Sequence, residues 1–156
     1  MIKVLFVCLG NICRSPTAHG IFLQKVSARG LSQRVYVDSA GTGNWHVGEP
    51  PDHRTIKVAT TRGYDLSQLK ARQVKKQDFI EFDYILAMDS DNLVALQAMC
   101  PENSDHKIDL FLKYGKSGVT NVPDPYYGGS EGFEKVIDLI EEAADELLAY
   151  LESTYF

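Results

Sequence analysis

The sequence predicts an α/β protein built on a small four-stranded parallel sheet with helices on both faces. Two observations carry this prediction. Short apolar runs rich in Val and Ile alternate along the chain with longer segments whose apolar residues recur at helical spacing, and this alternation is typical of parallel sheets. The 156 residues are 44% hydrophobic and 24% charged, which suits a folded domain with a sizeable core. We therefore expect a single domain over residues 1–156.

Four short segments have the pattern of strands. The first, IKVLFV, is almost continuously apolar, as expected of a strand that is buried on both faces. The second alternates between apolar and polar residues, and the other two are short runs rich in apolar residues. The four predicted strands cover residues 2–7, 35–38, 83–88 and 108–112.

Helical patterns separate and follow these strands. The first predicted helix has one apolar face and stops at Gly30, and Ser90 is placed to cap a later helix. Loops rich in Gly and Pro are expected over 41–52 and 113–130. The predicted helices cover residues 16–29, 53–62, 75–81, a segment that begins at 90, and a long closing helix whose apolar face runs from Phe133 to Leu151.

The carboxyl ends of the predicted strands hold the chemically interesting residues. In an open parallel sheet, ligands bind beyond the carboxyl ends of the strands. These positions are occupied here by segments 8–15 and 39–45, by Asp89, and by the loop that contains Asp124. We therefore expect these groups to meet at one edge of the sheet, although Cys8 and Asp124 lie far apart in the chain.

The segment VCLGNICRSP, residues 7–16, leaves the first strand and enters the first helix. Its backbone N–H groups can turn inward around one point, and the first N–H groups of the helix point the same way, which makes a cradle for an anion. Gly10 permits close approach of the backbone, and Asn11 tolerates a left-handed conformation. The planar guanidinium of Arg14 matches two oxygens of a phosphate.

Cys8 lies at the mouth of this cradle. A field that attracts phosphate also favours thiolate over thiol, so Cys8 is a candidate nucleophile toward a bound phosphorus, and Ser15 could hydrogen-bond its sulfur. Taken singly, a cysteine is often a small buried hydrophobic residue and Gly-Asn a common turn. Cysteine, then arginine six positions later, then serine at a strand-to-helix junction favours the catalytic interpretation.

Composition excludes several other classes of function. An odd count of three cysteines argues against a disulfide framework, and the absence of C-x-x-C and H-E-x-x-H motifs argues against a metal site, so no cofactor is expected. A net charge of −5 disfavours non-specific binding to nucleic acid or to anionic membrane. No apolar run is long enough for a transmembrane helix, and the N-terminus does not resemble a signal peptide, so a cytoplasmic location is expected.

Over essentially the whole chain, the sequence closely resembles the low-molecular-weight protein-tyrosine phosphatases. The resemblance rests on VCLGNICRSP, on SAGT at 39–42, on FDYILAMD at 82–89, and on DPYY at 124–127. It implies an enzyme that hydrolyses phosphotyrosine and aryl phosphates through a phosphocysteine intermediate. In that mechanism Cys8 is the nucleophile, Arg14 binds the phosphate, and Asp124, bracketed by two prolines that stiffen its loop, is the general acid and base.

The resemblance also implies supporting roles. Asn11, Ser15 and Ser39 look like the hydrogen-bond network that holds the phosphate loop, and Cys13 like a redox partner that spares Cys8 by forming a reversible disulfide. Many family members have a histidine before the KARQ segment, where this chain has Leu69. The four histidines of this chain are scattered, and none is assigned a role. The remaining predicted site residues are Leu9, Gly10 and Ile12 in the loop and Trp45, Tyr126 and Tyr127 around the substrate slot.

The expected substrates are phosphotyrosine-containing proteins, and inorganic phosphate or similar oxyanions are expected to bind as competitive ligands. The protein is expected to be a monomer. Two alternatives remain open. An arsenate reductase on the same fold would need further cysteines after the loop, where only Cys100 is found. A non-catalytic phosphotyrosine-binding module would have no need to keep Cys8, Arg14 and Asp124 together.

Overall fold

A computed structural model describes residues 1–125 and 129–156. The described strands form one parallel sheet in the order β2-β1-β3-β4, which confirms the predicted four-stranded parallel architecture. The strands are β1 (Ile2–Cys8), β2 (Val35–Gly41), β3 (Tyr84–Ala87) and β4 (Ile108–Leu110). The α-helices are α1 (Arg14–Ala28), α2 (His53–Thr61), α3 (Asp78–Glu81), α4 (Ser90–Met99) and α5 (Ser130–Tyr155).

The two faces of the sheet carry separate apolar cores. Along β1, Val4 and Phe6 point to a core shared with α1 and α5, whereas Leu5 and Val7 point to a core shared with α3 and α4. All four side chains are fully buried. This burial on both sides explains why β1 is almost continuously apolar in sequence, and the helices on both faces confirm the prediction.

Several strand ends differ from the sequence expectation, and two of these differences affect the site. Strands β1 and β2 run on to Cys8 and Gly41, which are paired with each other in the sheet. This last pair fixes the backbone of Cys8. The apolar pattern of the sequence cannot show that the strands extend so far, because neither Cys8 nor Gly41 continues the apolar alternation. Strand β4 ends at Leu110, because the chain turns there into a short 3₁₀ helix, Phe111–Tyr114.

The predicted cap of α4 is wrong by one residue. Asp89, not Ser90, is the N-cap, and its carboxylate accepts a hydrogen bond of 2.7 Å from the backbone N–H of Asn92. Both residue types cap helices well. The choice of Asp89 has a tertiary cause, since its second carboxylate oxygen binds Arg14 at the edge of the sheet.

Among the described helices, none combines the length and the apolar character that crossing a membrane would require.

Candidate active site

The phosphate loop is shaped by its own backbone around the Cys8 sulfur. Cys8 ends β1, and α1 begins six residues later at Arg14. Asn11 adopts the predicted left-handed conformation, with φ of 57°. Its backbone N–H donates to Cys8 Sγ at 3.3 Å, and Ser15 Oγ lies 2.9 Å from the same sulfur. The loop therefore directs two hydrogen-bonding groups at the atom that was predicted to be the nucleophile.

The Asn11 side chain ties the loop to the rest of the protein. Its Nδ2 donates to Ser15 Oγ at 2.8 Å, and its Oδ1 accepts from the backbone N–H of Arg72 at 3.0 Å. The loop asparagine is thus held on both sides, although Leu69 occupies the position where many family members carry a histidine. The partner of Asn11 is a backbone group, and such a contact leaves no mark in the sequence.

Arg14 is almost fully buried, with 4% of its side chain exposed, and two groups fix its guanidinium. One of its nitrogens donates to Asp89 Oδ2 at 2.5 Å and to the carbonyl oxygen of Val122 at 3.1 Å. The other lies 3.7 Å from Asp124 Oδ2. Burial opposes the charged form, but attraction to the Cys8 sulfur and to Asp89 outweighs it and raises the pKa of Arg14. The side chain is therefore a fixed cation.

One cavity of about 440 Å³ brings the predicted reactive residues together. The sulfur of Cys8, the buried Arg14 and the partly exposed Asp124 all face it, as predicted from the carboxyl-edge argument. Tyr126 and Tyr127, predicted to line the slot, lie outside the described residues. The cavity is lined by Cys8, Leu9, Gly10, Ile12, Cys13, Arg14, Trp45, His46 and Asp124.

Trp45 and His46 form the described rim of this cavity. Trp45 is 67% exposed, and its ring lies against Gly43, where a Cβ atom would come within 1.8 Å of the indole. The imidazole of His46 covers Gly10, and its Nδ1 lies 3.1 Å from Glu49 Oε2. Sequence analysis missed His46; its place beside Trp45 in a loop at the carboxyl edge was the available signal.

Ser39, which was predicted to join Asn11 and Ser15 in holding the loop, instead pairs its hydroxyl with a histidine of α1. The Ser39 hydroxyl is 2.9 Å from Nδ1 of His19, a second histidine that sequence analysis missed. His19 lies four residues after Ser15, so both side chains share one face of α1. Burial lowers the pKa of His19, as does the charge of Arg72, against the opposing charge of Asp38. The ring is therefore neutral at physiological pH.

Gly41 contacts the loop so closely that it has no room for a side chain. A Cβ atom there would lie 2.7 Å from the carbonyl oxygen of Leu9 and 3.2 Å from the backbone nitrogen of Asn11. Both contacts are with backbone atoms, which cannot rotate away. The glycine of the SAGT segment is thus a requirement of loop packing.

Cys13 is buried at the N-cap of α1 and is a free thiol, as Cys8 is. Burial raises the pKa of Cys13 to about 12, with the charges of Asp52 and Cys8 acting in the same direction and the Thr55 hydroxyl opposing them. Cys13 is therefore a neutral thiol at physiological pH. In this it differs from Cys8, whose sulfur has the Asn11 N–H and the Ser15 hydroxyl as hydrogen-bond partners. Within the described residues, no three His, Cys, Asp or Glu side chains are grouped to hold a metal ion.

Comparison with known proteins decides the family. Residues 3–155 match the family described as low molecular weight phosphotyrosine protein phosphatase. The chain belongs to this family. The predicted family membership, fold and enzyme class are thereby confirmed: the chain is a protein-tyrosine phosphatase.

Individual relatives agree over nearly the full length. A putative low molecular weight protein-tyrosine-phosphatase of Synechocystis is 49% identical over 151 residues, covering 96% of each chain. A crystal structure of a protein tyrosine phosphatase from Entamoeba histolytica, with Hepes in its active site, is 43% identical, covers both chains completely and superposes with a TM-score of 0.96. The structure of a Drosophila arginine phosphatase is 38% identical, covers 98% of this chain and 99% of its own, and has a TM-score of 0.91.

Proposed function

We propose that this phosphatase hydrolyses phosphotyrosine with Cys8 as nucleophile, Arg14 as the phosphate-binding cation and Asp124 as general acid and base. The single observation that carries the assignment is that these three side chains, from opposite ends of the chain, face one cavity. The family implies phosphotyrosine-containing proteins as substrates. Inorganic phosphate and similar oxyanions are expected to compete for the same loop.

In the first step the Cys8 thiolate attacks phosphorus. The S–P bond forms while the bond from phosphorus to the tyrosine oxygen breaks, and the protonated carboxyl of Asp124 gives its proton to that oxygen. The transition state spreads charge over the three equatorial phosphoryl oxygens. The loop N–H groups and the fixed guanidinium of Arg14 are preorganised to stabilise that charge.

In the second step water attacks the phosphocysteine. The Asp124 carboxylate takes a proton from that water, an O–P bond forms, the S–P bond breaks, and phosphate leaves with the thiolate restored. Ser15 Oγ, 2.9 Å from the sulfur, is placed to donate a hydrogen bond to the departing thiolate. In the first step the same hydrogen bond stabilises the Cys8 thiolate before it attacks, which makes it a weaker nucleophile. The hydrogen bond therefore assists mainly the second step, in which the thiolate leaves.

Asp124 suits the role of acid better than Asp89, the other carboxylate near Arg14. Both Asp89 oxygens are engaged, one with Arg14 and one with the Asn92 backbone N–H. The Asp124 side chain is 42% exposed and faces the cavity, where a leaving group and then water could reach it. Trp45 is proposed to line the substrate slot, and the roles of Tyr126 and Tyr127 remain predictions.

The two alternative functions have weaker support. An arsenate reductase would need a relay of further cysteines beyond the phosphate loop. Cys100 is the one cysteine of the sequence after that loop, and it follows the ten-residue helix α4, which runs away from the carboxyl edge for about 15 Å at the rise of an α-helix. A module that only binds phosphotyrosine would not need an acid beside the loop. The monomeric state, the cytoplasmic location and the single domain over residues 1–156 also remain predictions.

The test compares wild type, Cys8→Ser and Cys100→Ser on four substrates: an aryl phosphate, a phosphotyrosine peptide, phosphoarginine and arsenate with a thiol reductant. We expect wild type and Cys100→Ser to release phosphate from the first two and Cys8→Ser to release none. Trapping of a phosphoenzyme at Cys8 after acid quench would identify the intermediate. Preference for phosphoarginine, reduction of arsenate, or activity that survives in Cys8→Ser would each refute the proposal.

A further inference from the structure

We propose that Arg72 is a positioning residue of the phosphate loop: its side chain is clamped by two carboxylates, and its backbone N–H fixes the direction of the hydrogen bonds that reach Cys8. This inference rests on the proposed function, in which Cys8 is the nucleophile. Arg72 does not face the cavity that holds Cys8 and Asp124. Its action on the reaction is through Asn11.

The Arg72 guanidinium is held on two sides. Its two terminal nitrogens each bind one oxygen of Asp78 at 3.0 Å, and its Nε binds Asp38 at 3.1 Å. Asp78 is only 1% exposed, so the carboxylate of this bidentate pair is shielded from solvent, while the Arg72 side chain is 27% exposed. Planar guanidinium groups are suited to such geometry, whereas an ammonium group cannot hold two carboxylates in fixed directions.

The two carboxylates are themselves fixed. Asp78 accepts a third hydrogen bond of 2.9 Å from the backbone N–H of Lys75, and Asp38 accepts one of 2.8 Å from Ser39. Burial alone would lower the pKa of Arg72, but the hydrogen bonds and charges of Asp78 and Asp38 raise it. The guanidinium is therefore a permanently charged anchor.

The backbone around Arg72 is tied to the end of β2. The Arg72 carbonyl accepts from the Gly41 N–H at 2.8 Å, and the Val74 N–H donates to the Gly41 carbonyl at 2.8 Å. Residue Gln73 forms an isolated parallel bridge with Gly41. Together with the clamped guanidinium, these bonds place the Arg72 N–H against Asn11 Oδ1 at 3.0 Å.

Because the Arg72 N–H is a donor, it fixes the direction of the next two hydrogen bonds, from Asn11 to Ser15 and from Ser15 to Cys8. A backbone N–H can only donate, so the Asn11 oxygen must face Arg72 and the Asn11 Nδ2 must face Ser15. Ser15 Oγ then accepts from Asn11 at 2.8 Å, and its own hydrogen is left for the Cys8 sulfur at 2.9 Å, which is nearer than the alternative acceptor, the Ala40 carbonyl oxygen at 3.5 Å. A flipped Asn11 would present an acceptor to Ser15 and draw that hydrogen away from the thiolate.

Arg72→Ala alone would leave Asp78 buried without its cation and could fail to fold. The principal variant is therefore Arg72→Ala combined with Asp78→Asn, with Arg72→Lys as a milder change. The matched control is Arg62→Ala, because Arg62, like Arg72, is held by more than one carboxylate. Its three partners, Glu134, Asp138 and Glu141, all lie on α5 and away from the loop.

Two readouts separate positioning from general stability. The first is the rate at which iodoacetamide alkylates Cys8 at about pH 6, followed by peptide mass mapping; the second is kcat and KM for an aryl phosphate. We expect the double variant to lower both the alkylation rate and kcat about tenfold, with KM within about twofold, since one charge-assisted hydrogen bond at the sulfur is weakened. Arg72→Lys should give an alkylation rate and a kcat between those of wild type and the double variant. Arg62→Ala should stay within about twofold of wild type in both quantities.

A double-mutant cycle with Asn11→Ala completes the test. If Arg72 acts through Asn11, its replacement should change kcat less than about twofold once Asn11 is absent. Full additivity of the two effects, or unchanged alkylation of Cys8 in the Arg72 variants, would overturn the inference. An inactive wild type, or an active Cys8→Ser, would instead overturn the proposed function, so the two failures are distinguishable.

Discussion

The tightest steric contact of the phosphate loop is at Gly41, and Gly41→Ala is therefore a sharp test of how precisely the loop must be placed. The added methyl carbon would lie 2.7 Å from the Leu9 carbonyl oxygen and 3.2 Å from the Asn11 nitrogen. An ordinary contact for such a carbon begins near 3.4 Å, so the loop or the end of β2 has to move by roughly 0.7 Å. The Leu9 carbonyl also accepts from the Gly43 N–H at 2.9 Å, which resists that movement.

The expected magnitude follows from this geometry. Overpacking against fixed backbone costs about 1–3 kcal/mol of unfolding free energy. A displacement of roughly 0.7 Å in the loop N–H groups should lower kcat/KM by about ten- to a hundredfold, since misplacement by about one ångström can cost a hundredfold. Both quantities are measured together, by urea unfolding and by aryl phosphate kinetics.

The matched control is Gly20→Ala in α1. Its methyl group would meet Leu66 Cδ2 at 2.1 Å, so it is at least as crowded, but the obstacle is the end of a flexible side chain in the core. We expect Gly20→Ala to lower stability while kcat/KM stays within about threefold of wild type. A Gly41→Ala enzyme with wild-type kcat/KM, or equal activity losses in both variants, would refute the claim that loop placement limits catalysis.

Three further predictions concern other parts of the site. Asp124→Ala should lower turnover about a hundredfold or more for a poor leaving group, with a smaller loss for strongly electron-poor phenols that need no proton; equal losses would contradict its role as acid. After mild peroxide, wild type should regain activity with thiol reductant and show a Cys8–Cys13 bond on peptide mapping, whereas equal recovery of Cys13→Ala would argue against protection. Because folding lowers the pKa of His19, the unfolded chain takes up a proton first as pH falls through about 6.5, and the unfolding free energy should decrease there by up to about 1.4 kcal/mol per pH unit. His19→Asn should reduce that decrease. A urea-unfolding profile that is the same for this variant and wild type across that pH range would contradict the prediction.

The parts of the fold that sequence could predict are those whose burial is local and regular. The apolar run of β1 is predictable because both of its faces are buried, and α1 because its apolar residues recur along one face. The catalytic loop is predictable because its chemistry lies within one short segment. Element ends were less accurate, since they depend on contacts with distant residues.

The support of the site was not predictable for the same reason. The partner of Asn11 is a backbone N–H from a residue 61 positions away, and no residue type encodes that contact. Asp89 rather than Ser90 caps α4, because its carboxylate also binds Arg14, 75 positions away. His19 could have been flagged by its spacing from Ser15, but its partner Ser39 belongs to the neighbouring strand.

The charges around the loop limit how a negatively charged protein can bind a phosphate dianion. Among the described residues that line the cavity, Arg14 is the fixed cation, and the Asp89 carboxylate at 2.5 Å already balances it. In the proposed reaction the Cys8 thiolate adds a second negative charge before substrate enters. The binding of phosphate by Arg14 must therefore be supported by uncharged donors, namely the loop N–H groups and the N-terminal dipole of α1.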